Sequence, residues 1–500
     1  MVGSLGSLMA IDPRYPVLVG VGFASRDVVD PADGVEAIDL MAEAATAAGA
    51  DAGAPKMLSA VERILVPRGT WTYPAPGRFV AQRIGAERAH TARVALGIPQ
   101  QSLINEALGA IAAGDLDVAM VVGGEARRRE ILARRAGIDL PESDQRGLEP
   151  DEDRPLDVGA ELMAMSEREA RVVLPIQQYA LIENALGHAE GRTLEENQHD
   201  IANLYEGFDA VAGENPRAAF ADGRTAEFLR TPSAANRPIA FPYNKWHVTQ
   251  MNVDQSVALL FCSVDVARDH GIDPERWVFP HVAVESTLAV SLSCRRDMHR
   301  WEAMKVLGDA AVGHIGRPLA SLEHAELYSC FPVAVRVQQR ELGFPLDSVP
   351  TITGGMAFAG GPLNSFVLHE TGEMAVRRRA HPGETGVVGA CSGLLTKPGL
   401  SVWSTAPFDA GPLIADLAEG AKAATPVVES VAGYEGPATI ATYTVQYDEQ
   451  QQPATVTVIA DTPDGARCVA VAADAELAAR GVQEDIIGQP IRVNSTTFEV

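Results

Sequence analysis

The sequence predicts an α/β protein of two similar halves, closed at its C-terminal end by a small all-β module. Three observations predict it. From about residue 15 to residue 405, short apolar runs ending in glycine alternate with helical stretches, the pattern of buried strands covered on both faces. The alternation occurs twice, on either side of a long helical interruption, which points to a duplicated unit. After about residue 437 the hydrophobic period drops to two, with turn signals between short runs.

The elements follow in order. Pro16–Gly22 (PVLVGVG) reads as a buried strand, and Val35–Ala48 as an Ala-rich helix with Gly49 as its stop. Pro99 opens a helix where its missing N–H costs nothing, Leu103, Ile104, Ala107, Leu108 and Ile111 follow at helical spacing, and Gly114 ends it. Asp117–Val122 is then a strand stopping at Gly123-Gly124-Glu125. From about 126 to 235 the pattern changes to helices such as Ala160–Arg171 and Pro175–Gly187, an insertion over the first half, and Val257–Val266 reads as an apolar helix. The second half runs through a strand at Val278–Val284, a helix at Trp301–Val312, a strand end at Ala325–Tyr328 and a helix at Val333–Leu342. A glycine-rich segment, Gly354–Pro362, precedes a helix at Phe366–Ala380 and a strand at Gly386–Ala390 that runs into Cys391-Ser392-Gly393. Pro407–Pro437 reads as a linker with some helix. Thr439–Tyr447, Ala454–Ala460, Arg467–Ala472, Ile491–Val493 and Thr497–Val500 form the β module, plausible as a barrel. The expected domains are 9–260 with the insertion at about 126–235, 261–405, a linker at 406–436 and a barrel-like domain at 437–500.

Composition bounds the function. The 500 residues are 46% apolar and 21% charged, enough for a sizeable core and too long for a single one. The net charge of −25 disfavours nucleic acid over most of the surface. No apolar run approaches the length of a membrane span, and the opening MVGSLGSL lacks the basic and apolar regions of a signal peptide and reads as a start-site remnant. Five scattered cysteines exclude a disulfide framework and a zinc ribbon, so no metal is expected and a reducing cytoplasm is. The arginine cluster Arg127, Arg128, Arg129, Arg134 and Arg135 is read as a helix face balanced by the acidic stretch 142–157.

Four segments carry a resemblance. Ser102–Glu125, above all GDLDVAMVVGGE, resembles the helix and strand after the nucleophile of the thiolase superfamily. Tyr328-Ser329-Cys330-Phe331 stands where sterol-carrier-type thiolases have an HDCF-like motif, GGMAFAGGPL at 354–363 resembles the loop ending in GHPxG, and Gly389–Gly393 resembles the late CxG. The resemblance implies a duplicated five-stranded mixed-sheet fold in αβαβα layers, with the site at the junction of the halves and an extra C-terminal β module. It also implies a coenzyme A ester as ligand, with no other cofactor required.

The departures decide the chemistry. The nucleophilic cysteine would fall near Gly97, where Leu96-Gly97-Ile98-Pro99 offers no Cys, Ser or Thr within four residues. The loop histidine falls at Gly361, and Tyr328 replaces the residue that would hold the catalytic water. What remains is Cys391 as acid or base or as a buried small hydrophobe, Tyr328 as proton donor or as a core tyrosine, and backbone N–H groups at Gly361 and Gly393 as oxyanion donors. Cys330 and its neighbour Phe331 read as core residues. The coenzyme is expected against the loop holding His247, Thr249 and Gln250, with Asn364 at the pocket mouth. His369 and Glu370, adjacent in a helix, cannot face one site. The readings left open are a thiolase-like protein acting on or binding acyl-CoA but not working as a thiolase, a retro-aldolase on a β-hydroxyacyl-CoA, and a non-catalytic CoA-ester binder or scaffold. Oligomeric state, monomer or dimer, is left open.

Overall fold

The structure is a computed structural model that describes residues 11–156 and 162–500. The opening MVGSLGSL and the start of the 160–171 stretch lie outside the described residues. In the first half, β1 (Pro16–Arg26), β2 (Arg63–Pro67), β3 (His90–Val94), β4 (Val118–Ala126) and β5 (Glu152–Arg154) precede the short hairpin β6 (Pro238–Ala240) and β7 (Tyr243–Asn244) and then β8 (Asp254–Ser263). The first sheet runs β1-β8-β4-β2-β3-β5, antiparallel across β8 and parallel from β4 to β5. The expected five strands are present, and charged β5 adds a sixth along β3.

The second sheet runs β10-β11-β12-β9-β13, from β9 (Phe279–Glu285), β10 (His324–Glu326), β11 (Thr385–Ser392), β12 (Lys397–Ser404) and β13 (Leu413–Asp416). The two sheets meet where Leu18 and Val278 exchange both backbone hydrogen bonds at 3.0 Å. Between them lie two helices, α1 (Gln100–Ala113) and α2 (Phe366–Ala380), each packed on strands of both sheets. This gives the layered α/β arrangement that the sequence predicts. The N-termini of these helices meet at the seam, where the Gln100 side chain accepts from the Val367 N–H at 2.9 Å.

Four local expectations are corrected. Val257–Val266 is not a helix. Its first part is β8, buried along its whole length in the middle of the sheet, where a strand covered on both faces loses its alternation and imitates an apolar helix. Gly49 does not stop the helix, which runs Ala37–Asp51; a Cβ there would come within 2.6 Å of Leu58. Nor do Gly123 and Gly124 stop β4; a Cβ on them would press on Ser365 and Ser256 at 2.9 and 2.6 Å. Close approach explains the Gly20-Val21-Gly22 pattern as well, since Cβ atoms on the two glycines would meet the carbonyls of Ala48 and Ala44 at 2.2 and 1.9 Å. Among the described residues of the stretch 160–171 the helix is short, Met165–Glu169.

The C-terminal strands β14 (Glu435–Tyr447), β15 (Pro453–Asp461), β16 (Arg467–Ala472), β17 (Pro490–Asn494) and β18 (Thr497–Glu499) close into a barrel, β14 pairing with both β15 and β17. The hairpin β6–β7 extends it through a bridge between Ala240 and Gln446. The segment 406–436 is not a linker. It supplies β13, parallel to β9 at the edge of the second sheet, and a helix at Ala418–Ala424. The barrel is seated on the insertion helix α3 (Pro175–Ala189), with the Thr442 hydroxyl on the Leu181 carbonyl at 2.6 Å and Asn184 on the Tyr443 carbonyl at 2.8 Å. Arg467 ties it to the second half through the carbonyls of Arg295 and Arg296.

Candidate active site

Four segments converge where the N-termini of α1 and α2 meet: the turn before α1, the Tyr328–Phe331 loop, the glycine loop and the end of β11. Gly97 sits in the turn with φ +99, a conformation that disfavours any side chain. A Cβ there would meet Leu156 at 3.3 Å and Leu162 at 3.7 Å. The Gly97 carbonyl accepts from the ammonium of Lys397 at 2.7 Å, a buried pair joining the two halves. The position at which the resemblance expects a nucleophile is thus a glycine turn, covered by two leucines and pinned by a lysine.

The glycine loop is equally altered. A Cβ on Gly361 would lie 2.2 Å from the methyl of Thr249, so the threonine fills the space into which a side chain at 361 would point. Thr249 is fixed there by its hydroxyl on the Cys330 carbonyl at 3.0 Å. The expectation that Gly361 donates to an oxyanion is corrected, because its N–H already bonds the Gln250 carbonyl at 3.0 Å. Gly393, with φ +64, lies under Leu162, 2.5 Å from where its Cβ would be.

Cys391 is buried, and its sulfur lies 3.4 Å from the Tyr179 hydroxyl, whose ring stacks on Phe331 at 4.4 Å. Burial pushes the thiol up to about 11, partly offset by the Tyr179 hydroxyl. Burial, with Cys330, Cys391 and Glu370 close by, holds the Tyr328 phenol well above its usual value. The Tyr328 ring meets Phe366 edge-on at 6.3 Å. Glu370 is buried with both oxygens unpartnered among the described residues, and burial raises it far above the carboxylate range. Arg295 closes this corner, its guanidinium on the Leu394 and Val290 carbonyls at 2.8 and 3.1 Å. At neutral pH the corner therefore presents a thiol, phenols and a carboxylic acid, all proton donors and none a thiolate.

Tyr328 and Cys391 thus share one corner, with Gly393 two residues along from Cys391, while Gly361 packs on Thr249 and Met356. The expected ligand residues divide. His247 is corrected to a core residue: it is buried between Tyr205 and Tyr243, its Nδ1 accepts from the Asn244 N–H at 3.2 Å, and burial pushes it down to about 3. Gln250 spends its amide on the Lys245 and Val248 carbonyls at 2.8 Å, holding its own loop. Asn364 is buried rather than at a mouth, joining Gln100 at 3.4 Å to the Arg68 carbonyl at 3.1 Å. His369 lines a narrow cleft with Phe23 and Arg217, away from the Glu370 corner, so adjacent helix positions do face apart.

Sequence reasoning missed Tyr179, Arg295 and Lys397. Tyr179 lies in the insertion at a spacing that reads as core, and nothing local marks it. A single lysine inside the apolar run TKPGLSVWS was the available signal for Lys397. It also missed an open surface cleft of about 540 Å³ lined by Arg224, Thr225, Lys245 and Trp246. There the Arg224 guanidinium stacks on Trp246 at 3.5 Å and Lys245 Nζ lies 4.7 Å over the same ring. Among the described residues no helix is long and apolar enough to cross a membrane.

Residues 419–497 match the family model described as the thiolase-like protein type 1 additional C-terminal domain. The chain is similar to a monomeric SCP2-thiolase-like protein type 1 from Mycobacterium smegmatis, with 29% identity and a TM-score of 0.83 over 98% of this chain and 99% of that one. The Ltp2-ChsH2(DUF35) aldolase shares the fold, with 20% identity and a TM-score of 0.55 over 79% of this chain and 99% of that one. An acetyl-CoA acetyltransferase of Methanocaldococcus jannaschii is 22% identical over 215 residues, 39% of this chain and 52% of that protein. The chain thus spans about half the length of the curated relative it matches.

Proposed function

We propose that this chain, a thiolase-like protein with an additional C-terminal barrel, binds CoA thioesters and transfers no acyl group through a cysteine. The observation that carries the reading is the turn at Gly97. Covalent acyl transfer needs a nucleophile at the mouth of α1, and that place holds a glycine under Leu156 and Leu162. Cys391 does not substitute, because burial holds it as a thiol at neutral pH. Binding draws its support from the surface cleft at Lys245, a half-buried cation that can meet the anionic nucleotide end of CoA; Arg224 in the same cleft is already ion-paired with Asp209 and Asp222 and covers Trp246. Acetyl-CoA is the substrate named for the acetyltransferase relative, and the chemistry of that ligand fits the cleft. The site residues of this reading are Lys245 at the nucleotide end, with Cys391 and Tyr328 at the thioester end. Incubation with acetyl-CoA followed by intact-mass analysis tests it. The protein is expected to remain unacylated and to give no thiolysis of acetoacetyl-CoA; an acyl adduct on any cysteine would sink the reading.

A second reading, cleavage of a β-hydroxyacyl-CoA, is favoured by the unpartnered Glu370 carboxyl grouped with Tyr328 and Cys391. These neutral groups suit protonation of an enolate more than formation of a nucleophile. Tyr328→Phe keeps the ring and removes only the hydroxyl. If the reading holds, turnover drops by roughly a hundredfold or more while CoA-ester binding persists.

A further inference from the structure

The chain has five lysines, at positions 56, 245, 305, 397 and 422. Four lie at least partly in solvent, whereas Lys397 is 2% exposed. An ammonium is seldom taken out of water without a carboxylate to meet it. Lys397 forms no ion pair among the described residues, and its one hydrogen bond goes to the Gly97 carbonyl at 2.7 Å. The pure positioning role, one bond to a backbone carbonyl, could be filled by a neutral side chain without burying a charge. Its stem passes beside Gly393, whose absent Cβ would sit 3.4 Å from the Lys397 Cε. Gly393 and Leu394 next to the stem are half-buried. Burial, with no counter-charge among the described residues, lowers its pKa from the usual lysine value, which enlarges the share of free amine at neutral pH.

We propose that Lys397 is the nucleophile of this site, an amine that adds to the carbonyl carbon of an aldehyde or ketone beside the Gly97 turn. In the step, the nitrogen lone pair forms a C–N bond while the carbonyl π pair moves to oxygen. That oxygen takes one proton from the new ammonium and a second from solvent water, and leaves as water. The product is an iminium, C=N⁺–H, which draws electrons from the neighbouring carbon and weakens its bonds to hydrogen or carbon. A desolvated lysine in an apolar setting is the form in which this residue does such chemistry. The step needs no CoA, so it stands or falls separately from the binding reading above.

The test traps the iminium. The full chain is incubated at neutral pH with acetone and sodium cyanoborohydride, whose hydride reduces C=N⁺ to a stable isopropylamine, and then digested and mapped by mass spectrometry. The expected adduct is on Lys397, several-fold above Lys56, Lys245, Lys305 and Lys422. Lys397→Arg keeps a donor for the Gly97 carbonyl but cannot form an imine, so it should fold, melt near the wild type and lose that adduct. Lys397→Met, which loses the bond to Gly97 as well, separates holding from reacting by its melting temperature. Adducts confined to the four other lysines would overturn the proposal, whatever the variants do.

Discussion

The methyl of Thr249 occupies the space into which a side chain at Gly361 would point. The two positions are adjusted to one another across the seam, and Thr249 is anchored by the Cys330 carbonyl. Putting back a loop histidine is therefore not a repair. Gly361→His is expected to cost about 1–3 kcal/mol through overpacking and to confer no thiolysis. Thr249→Ala in the same chain should recover part of the loss. Thermal melts of the single and double variants check this; a Gly361→His protein as stable as the parent would contradict the packing described.

Cys391 offers a second check. Its thiol is pushed up to about 11 by burial, so modification by iodoacetamide should be slow at neutral pH and climb steeply only above about pH 9. The linked stability has a definite sign. A group whose folded pKa lies above its unfolded value stabilises below the unfolded pKa and loses that contribution as pH rises through the folded one. The Cys391 contribution should accordingly fade between about 9 and about 11. Tyr179→Phe removes the hydroxyl that lowers this pKa, shifting the alkylation profile to still higher pH.

Glu183 predicts behaviour nearer neutrality. It is fully buried in α3, accepts from the Tyr243 hydroxyl at 2.7 Å, and burial raises it to about 7. The protonated form is the one the fold prefers, so its stabilisation is complete below about 4.5 and declines as pH rises through about 7. Glu183→Gln imitates the neutral acid. Between pH 5 and 8 the wild type should lose roughly 1–3 kcal/mol that the variant keeps, measured by denaturant melts at several pH values.

The barrel should not come away cleanly. Arg467 bonds two carbonyls of the second half, Thr442 and Asn184 join the barrel to α3, and α3 carries Tyr179 to Cys391. Arg467→Ala leaves those carbonyls without their donor and is expected to cost about 1–3 kcal/mol. Limited proteolysis should spare 413–424, which is strand and helix rather than free chain. Rapid cutting there, with both halves left intact, would contradict this seating.

The sequence was most informative where one element obeyed one rule. Helix α1 with its Pro99 start and Gly114 stop, helix α2, and the period-two strands of the barrel are all legible from local pattern. Strand β8 was not, because a run buried on both faces carries no period. The strand inside 406–436 was hidden for a different reason: it is a short, half-exposed edge strand whose partner β9 lies more than a hundred residues away. At the site, glycine at positions 97 and 361, where the resemblance expects a nucleophile and a histidine, could be read from residue types alone. What replaces them could not, since Leu162, Lys397, Thr249 and Tyr179 reach the seam only through the tertiary fold.

The central claim is most directly tested by calorimetric titration of the full chain with acetyl-CoA, alongside Lys245→Glu. Lys245 lies at the open cleft, over Trp246 and away from the Cys391 corner, so reversing its charge should weaken an anionic ligand about tenfold, roughly 1.4 kcal/mol, and leave the melting temperature unchanged. Saturable binding to the wild type, weakened in the variant, is the expected result; no binding to the wild type, or equal binding to both, would contradict the account.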